Sequence, residues 1–446
     1  MEQQSTLSNR RRFMKDAASV AALSALGAGV LLKSCSSGRT KRGKEPVFLD
    51  EAPAGRTLKA GLIGCGGRGT GAAINFLDAG PGLEITALGD VFSERLDRCR
   101  NQLKERKNVE IADEKCFLGF DAYQKVIESD VDVVLLAAPP FFRPSHFDAA
   151  VRARKHVFME KPVAVDPVGT RAIMASARMA DVAGLKVIHG MQRHHQRDYV
   201  TTYQHIKAGA IGEIIGASAY WNQPQLWHVN PQPGWNDMEA MLRDWVNWCW
   251  LSGDHIIEQH IHNIDVVHWF KGKYPVKAVG FGGRHRRLTG DQYDFFSVDY
   301  VFDDNTHMHS MCRQINGCAN NVSEFIMGTE GMSNCRSFIQ NLQGETTWQY
   351  QYPLDEQGQP SPQAIKSPYD QEIIDLVAAI RNNTPLNTGE DCANSTLVGI
   401  MGRMSAYSGK EVTWEEVMNS NLRLGPQEPA FGSVDIKAII PAPGTV

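Results

Sequence analysis

The chain predicts an α/β protein in which a doubly wound parallel sheet is followed by an α+β domain built on a mostly antiparallel sheet. Three observations carry that reading. From Thr57 onward short apolar runs alternate with helical stretches, the pattern of βαβ units covered on both faces. The first run ends in Gly64-Cys65-Gly66-Gly67-Arg68-Gly69, a glycine-rich passage from strand to helix. From Val276 onward the runs alternate residue by residue with polar positions, as antiparallel strands with one solvated face do.

The 446 residues exceed one domain of roughly 100–200 residues, so two domains with extensions are expected. With 42% hydrophobic and 22% charged residues and a net charge of -4, the composition is that of an ordinary globular protein. Charge of both signs is spread along the chain without the basic stripe a nucleic acid requires, so no nucleic-acid partner is expected. Nine cysteines occur without a C-x-x-C pair, which argues for reduced core thiols rather than disulfides or zinc.

Residues 1–35 read as an address. A basic block, Arg10-Arg11-Arg12-Phe13, precedes an apolar run from Ala17 to Leu32, too short for a permanent span of about 20 residues. The block resembles a twin-arginine export signal, and Leu32-Lys33-Ser34-Cys35 resembles a lipoprotein cleavage box with Cys35 as the lipidated residue, Lys33 being the departure. The expected location is periplasmic or membrane-anchored. Residues 36–56 then form a polar linker.

In the first domain, 57–190, strands are expected at 58–63, 83–88, 131–137, 156–159 and 185–188, with helices at 69–77, 93–104, 144–154 and 167–183. The glycine loop follows a strand, opens a helix, and has Asp90 at the end of the next strand. That context makes it a dinucleotide site: Gly64, Gly66, Gly67 and Gly69 admit the pyrophosphate to backbone N–H groups, and Asp90 accepts from the adenosine ribose. NAD is the expected cofactor, while Arg68 and Arg95 leave room for NADP.

The stretch Gly253 to Asp265, if helical, puts Glu258, His262 and Asp265 on one face at i, i+4 and i+7, with Asp254 a turn earlier and Ile257, Ile261 and Ile264 on an apolar face beside it. A polar stripe on such a helix faces water or a site. Glu and His at this spacing also suit zinc or manganese; the reading carried forward assigns no metal. Between Tyr220 and Trp250 stand six tryptophans, among them Trp221, Trp235 and Trp245. Their faces can stack on sugar rings, Asn222 and Arg243 can bond hydroxyls, and some of the six must be core.

Downstream of the first domain's middle strand come Ala137-Ala138-Pro139-Pro140, His146, and Met159-Glu160-Lys161-Pro162. Together with the glycine loop these motifs resemble the glucose–fructose oxidoreductase, inositol dehydrogenase and MocA family (Gfo/Idh/MocA), over a span from Leu58 to at least Val412. The resemblance implies a Rossmann domain joined to an open-faced sheet domain, and NAD(P)-dependent oxidation or reduction of a sugar or polyol. It puts Pro139, His146, Glu160 and Lys161 with Arg68 in the cofactor site and makes Lys161 catalytic. A lysine at the carboxyl end of a strand fits that role, because ligands of α/β sheets bind there. The family's acid and histidine fall on Glu258 and His262, the general base; family members commonly have Asp for Glu258 and Gly for His260. The loop holding Arg193 and His194 matches a substrate-binding position, completing with Asp265 the candidate substrate residues.

The second domain, 191–430, is expected to hold strands at 276–282, 295–302, 306–313 and 324–327, and C-terminal helices packed back on the first domain, before a tail at 431–446. In the family the open sheet face meets another subunit, implying a homo-oligomer, a dimer or tetramer. Export sharpens the functional expectation: no nicotinamide pool lies outside the cytoplasm, so the cofactor would be held tightly and recycled in each turnover. Either a sugar oxidoreductase or a redox-neutral glycosidase acting by transient oxidation satisfies that. A non-catalytic sugar-binding lipoprotein is the third class.

Overall fold

The computed structural model describes Gly43 and residues 45–445; the basic block at Arg10 to Arg12 and Cys35, expected to be an export signal and a lipid-anchor site, lie outside the described residues. β1 (Leu58–Ile63), β2 (Leu83–Asp90), β3 (Cys116–Leu118), β4 (Val133–Leu136), β5 (His156–Met159) and β6 (Val187–His189) form a parallel sheet in the order 3-2-1-4-5-6. Every residue of β4 is buried, as a sheet covered on both faces requires. The cover comes from α1 (Gly67–Asp78), α2 (Ser93–Lys107), α3 (Ala122–Glu128), α4 (Arg143–Arg152) and α5 (Pro167–Val182). α5 begins at Pro167 because Asp166 caps it, accepting from the Gly169 N–H at 2.7 Å. Strand order reverses between β1 and β4, and a crevice opens there at the carboxyl ends.

After α6 (Arg197–Lys207), β7 (Ile214–Gln223) enters the second sheet. The chain then turns through α7 (Asp237–Arg243), α8 (Cys249–Ser252), α9 (His255–Glu258) and α10 (Ile261–Lys271). Next come β8 (Lys277–Gly283), β9 (Phe295–Val301), β10 (His307–Gln314), β11 (Asn321–Gly328), β12 (Gly331–Ser333), β13 (Phe338–Asn341) and β14 (Thr346–Gln349). The last elements are α11 (Pro368–Arg381), α12 (Gly389–Ser408), β15 (Val412–Thr413) and α13 (Trp414–Asn419). The nine strands lie in the order 14-13-12-11-7-10-9-8-15, antiparallel except for the β7–β10 pair.

Strand alternation divides this sheet into two faces. Phe296, Val298, Tyr300, Met308 and Cys312 are buried in one core with Ile264 of α10 and Leu397 and Met401 of α12. Val279, Phe281 and Met327 are exposed on the opposite face. α11 docks on the first domain, its Ile373, Ile374 and Val377 joining Leu58 and Leu62 in a common core. α12 bridges both domains, since its Cys392 and Ala393 belong to the first domain's core.

Neither predicted extension hangs free where it is described. Ala52 donates to the Ala79 carbonyl at 2.7 Å, and Arg381 donates to that of Pro53 at 2.6 Å. Near the C-terminus Phe431 packs on Phe120 at 5.0 Å, Met238 N–H donates to the Gly432 carbonyl at 3.1 Å, and the Tyr293 hydroxyl donates to that of Pro441 at 2.8 Å. The eight cysteines among the described residues are unpaired thiols. Among the described residues no helix is long and apolar enough to cross a membrane.

Candidate functional site

A cavity of about 520 Å³ lies at the carboxyl ends of β1, β2 and β4 and is closed on its far side by Trp221, Glu258 and His262. The glycine turn builds its floor. Gly64 has φ +96°, and a Cβ there would crowd the backbone of Ala137 and Ala138 at the end of β4. A Cβ on Gly69 would overlap the Gly64 carbonyl, so only glycine lets α1 seat on the turn. At Gly66 and Gly67 a Cβ would meet nothing within 4 Å, which leaves their backbone bare toward the cavity they line. α1 starts with no side-chain cap and no acidic residue in its first turn, so its N–H groups remain for an anion.

Asp90 stands beside that turn, accepting from the Cys65 N–H at 2.7 Å and the Phe92 N–H at 2.9 Å. Burial raises its pKa above the ordinary carboxylate value, with those N–H groups pulling the other way. Each carboxylate oxygen retains acceptor capacity toward the cavity. Bare glycine backbone, an unshielded helix N-terminus and a carboxylate at the next strand fit the pyrophosphate and ribose of NAD.

Arg68 is committed elsewhere: it pairs with Glu160 and, at 2.9 Å, with Glu372 of α11, and lies 4.7 Å above the Tyr369 ring. Of the two arginines that left room for NADP, Arg95 is the one at the Asp90 end, 4.9 Å over the Phe92 ring. Pro139, Glu160 and His146 also line the cavity. His146 stacks on Tyr123 at 4.3 Å, its Nδ1 has no partner, and burial pushes its pKa down to about 3.

At the far end Lys161 Nζ donates to the Glu258 main-chain carbonyl and, at 3.0 Å, to Glu258 Oε1, while Gln259 donates to the other carboxylate oxygen. Both Lys161 and Glu258 are largely buried, with side chains 11% and 9% exposed. His262 faces the same cavity, 5.8 Å from the Trp221 ring, and its Nδ1 has no partner. Burial, then the charges of Lys161 and Arg193, push its pKa well below the ordinary histidine value. A neutral imidazole therefore stands next to an anchored ammonium, an acceptor beside a donor.

The single helix expected across 253–265 is two helices, broken at Gln259 and His260. The break keeps Glu258 and His262 on the cavity but changes the rest of the stripe. Asp254, at φ +76°, caps α9 and is buried under Tyr407. His260 turns away and bonds Ser310 at 2.7 Å. Asp265 is held by His194 at 2.7 Å and Ser395 at 2.7 Å and does not line the cavity. Burial disfavours both charges, yet the pairing raises the His194 pKa and lowers that of Asp265.

Of the candidate substrate residues, Trp221 alone lines this cavity. Arg193 is buried in an ion pair with Glu324, which also accepts from Tyr199 at 2.9 Å and Asn263 at 2.6 Å. Asn222 follows Trp221 on β7 and so faces the opposite side of the sheet. Arg243 stacks between Phe92 at 4.0 Å and Trp235 at 4.8 Å while pairing with Glu94 and Glu239, a clamp that ties α7 to the start of α2. Trp227 and Trp245, two of the six tryptophans offered for sugar stacking, do line the cavity, whereas Gln192, Gln259, Leu242 and Tyr369 are among the lining residues that the sequence reading does not include. Gln192 adjoins Arg193, which points into a buried ion pair instead, and Gln259 adjoins Glu258, which lines the cavity with it; Tyr369 has no such neighbour. Among the described residues no group of three or more His, Cys, Asp and Glu side chains is arranged to hold a metal.

The model of an oxidoreductase family with an NAD-binding Rossmann fold, Gfo/Idh/MocA, matches residues 58–189, and that of the Gfo/Idh/MocA C-terminal domain matches residues 199–333. Over 241 residues the chain is 26% identical to the inositol 2-dehydrogenase of Acidothermus cellulolyticus, covering 54% of this chain and 61% of that one. Over 162 residues it is 28% identical to a glycosyl hydrolase family 109 protein of Streptomyces coelicolor, covering 35% of this chain and 34% of that one. The chain thus matches less than two thirds of the length of either relative. The crystal structure of scyllo-inositol dehydrogenase from Lactobacillus casei with NAD(H) and scyllo-inositol is similar in fold, with a TM-score of 0.59 and 22% identity over 80% of this chain and 99% of that one. With both its Rossmann and C-terminal domain models matched, the chain belongs to the Gfo/Idh/MocA oxidoreductase family.

Proposed function

We propose that the protein is an NAD-dependent oxidoreductase of a sugar or sugar derivative, with Lys161 and His262 handling the proton. One observation carries the reading: Lys161, Glu258 and His262 meet at one end of the cavity whose other end is the glycine turn and Asp90. NAD, when bound, supplies the hydride acceptor. Lys161 has two of its three donors on Glu258, which leaves one for a substrate hydroxyl. His262, held neutral, takes the hydroxyl proton. Trp221 lines the wall beside it, 5.8 Å from the imidazole ring.

A redox-neutral glycosidase is the second reading, supported by the relative in glycosyl hydrolase family 109. There a sugar carbon is oxidised, the neighbouring C–H becomes acidic, His262 or Glu258 takes that proton, the aglycone leaves with a proton as a C–C double bond forms, water adds across that bond in its place, and the hydride returns to the oxidised carbon. The exported location stays part of the proposal, since it demands a cofactor retained through each cycle. Denaturing the pure protein and identifying released dinucleotide by mass and absorbance tests the shared premise, and a protein that neither releases nor binds one overturns it. Aglycone release without NADH accumulation, with deuterium entering the sugar from solvent, selects the glycosidase; stoichiometric NADH in a single turnover selects the dehydrogenase.

A further inference from the structure

We propose that Trp227 and Trp245 form a second ring-binding position at the mouth of the cavity, for an uncharged ring carried on the glycosidic oxygen of the sugar that Lys161 and His262 address. The inference rests on the sugar reading above and narrows it to glycosides rather than free monosaccharides.

Both indoles line the same cavity as Lys161 and His262. They meet edge to face at 6.1 Å and 66°, so one presents its face while the other braces its edge. Trp227 is 44% exposed, an unusual cost for the largest apolar side chain on a cavity wall. Its loop is nevertheless pinned. Gln225 N–H donates to Asn316 Oδ1 at 2.9 Å, Asn247 Nδ2 to the Trp227 carbonyl at 3.2 Å, and Val229 N–H to Asp244 Oδ1 at 2.8 Å. Asn247 and Asp244 are themselves almost fully buried. The backbone is fixed and the ring left open, which is preorganisation for a flat partner.

The position belongs to the sugar end. β7 brings Trp221 to within 5.8 Å of His262 and ends two residues later at Gln223, four residues before Trp227, and Trp245 packs against the cluster of Phe142 and Leu242 that lines the same cavity. Charge selects the occupant. Of the cations lining the cavity outside the Asp90 end, Arg68 is neutralised by Glu160 and Glu372 and Lys161 by Glu258, while Arg143 is buried with its donors on the carbonyls of Leu136, Ala138 and Pro162. An anionic substituent would find no free counter-ion there, whereas a sugar face or an aryl ring needs only the indole.

The test is calorimetric titration of holoprotein with a hexose, its 4-nitrophenyl glycoside of each anomer, and the matching disaccharides, on wild type, Trp227→Ala and Trp227→Phe. Wild type should bind at least one two-ring ligand more tightly than the hexose. Trp227→Ala should close that gap by roughly 3- to 10-fold, the range of one aromatic stacking contact, with Trp227→Phe retaining most of it. Hexose affinity, dinucleotide content and Tm should stay unchanged, because the ring is half exposed. Gain for aryl glycosides alone or for disaccharides alone identifies the ring. If the hexose binds as tightly as every glycoside, or the gap survives in Trp227→Ala, the second position is wrong and the sugar reading stands. If no sugar ligand binds, both fall.

Discussion

Lys161 and Glu258 hold each other twice: the ammonium donates to the carboxylate at 3.0 Å and also to the main-chain carbonyl of the same residue. The second bond survives any change of the Glu258 side chain, so the two substitutions separate. Lys161→Met should cut turnover by about 10²- to 10⁴-fold, as loss of a positioned proton-transfer group does. Glu258→Gln keeps an acceptor near Lys161 and should cost about tenfold or less. Steady-state kinetics on holoprotein decide it, and equal losses in the two variants would mean that Glu258 does more than position Lys161.

Two glycines three residues apart should fail in different ways. A side chain at Gly66 points into open cavity, while one at Gly69 strikes the Gly64 carbonyl. Gly66→Val should fold with near-normal Tm and lose copurifying dinucleotide. Gly69→Val should lower Tm by several degrees, about 1–3 kcal/mol for overpacking. Dinucleotide content at wild-type level in Gly66→Val would place the cofactor elsewhere.

The first domain was legible because buried parallel strands are continuous apolar runs and the glycine turn has one physical purpose. β5 has the boundaries expected of it. β3 and α3 were missed since three and seven residues carry too little periodicity. At the site, Lys161 and the Glu258–His262 pair were visible as motifs. The substrate residues were not, because a polar side chain looks alike in sequence whether it meets a ligand or a buried partner. Arg193 went to Glu324 and Asp265 to His194, and partners 131 and 71 residues away leave no local trace.

The open sheet face predicts self-association. Phe281 is 67% exposed with Val279 and Met327 on the same face, an apolar patch of the kind that marks an interface. Phe281→Glu should shift the mass by light scattering from oligomer to monomer at micromolar concentration. A wild-type protein that is monomeric throughout that range sinks the expectation.

The address is tested separately from the fold. Changing Arg10, Arg11 and Arg12 to lysine should strand the protein in the cytoplasm, and Cys35→Ala should release it from membranes into the soluble exported fraction. Unchanged fractionation of the arginine variant would leave export through a twin-arginine route without support.

The buried histidines set the pH response. His262 is held well below its ordinary pKa by burial and by Lys161 and Arg193, and burial takes His146 and His189 to about 3 and His268 to about 4. These groups are neutral when folded but bind protons when unfolded, so each destabilises the fold as pH falls below about 6.5, by up to about 1.4 kcal/mol per pH unit. His194 works in the opposite sense. Its raised pKa contributes stability that is complete below about 6.5 and is lost as pH rises through its folded value. His156, His255 and His260 are lowered as well, and together these seven outweigh His194 and the raised Asp291 carboxyl, at about 6, so the urea midpoint should fall from pH 7 to pH 5. Activity has its own signature: a neutral base persists to low pH, so the acid limb of kcat/KM should lie below the ordinary histidine range. In Lys161→Met, whatever turnover remains should show that limb moved upward, because one of the two neighbouring positive charges is gone. A limb that stays in place in this variant would remove His262 as the base it reports.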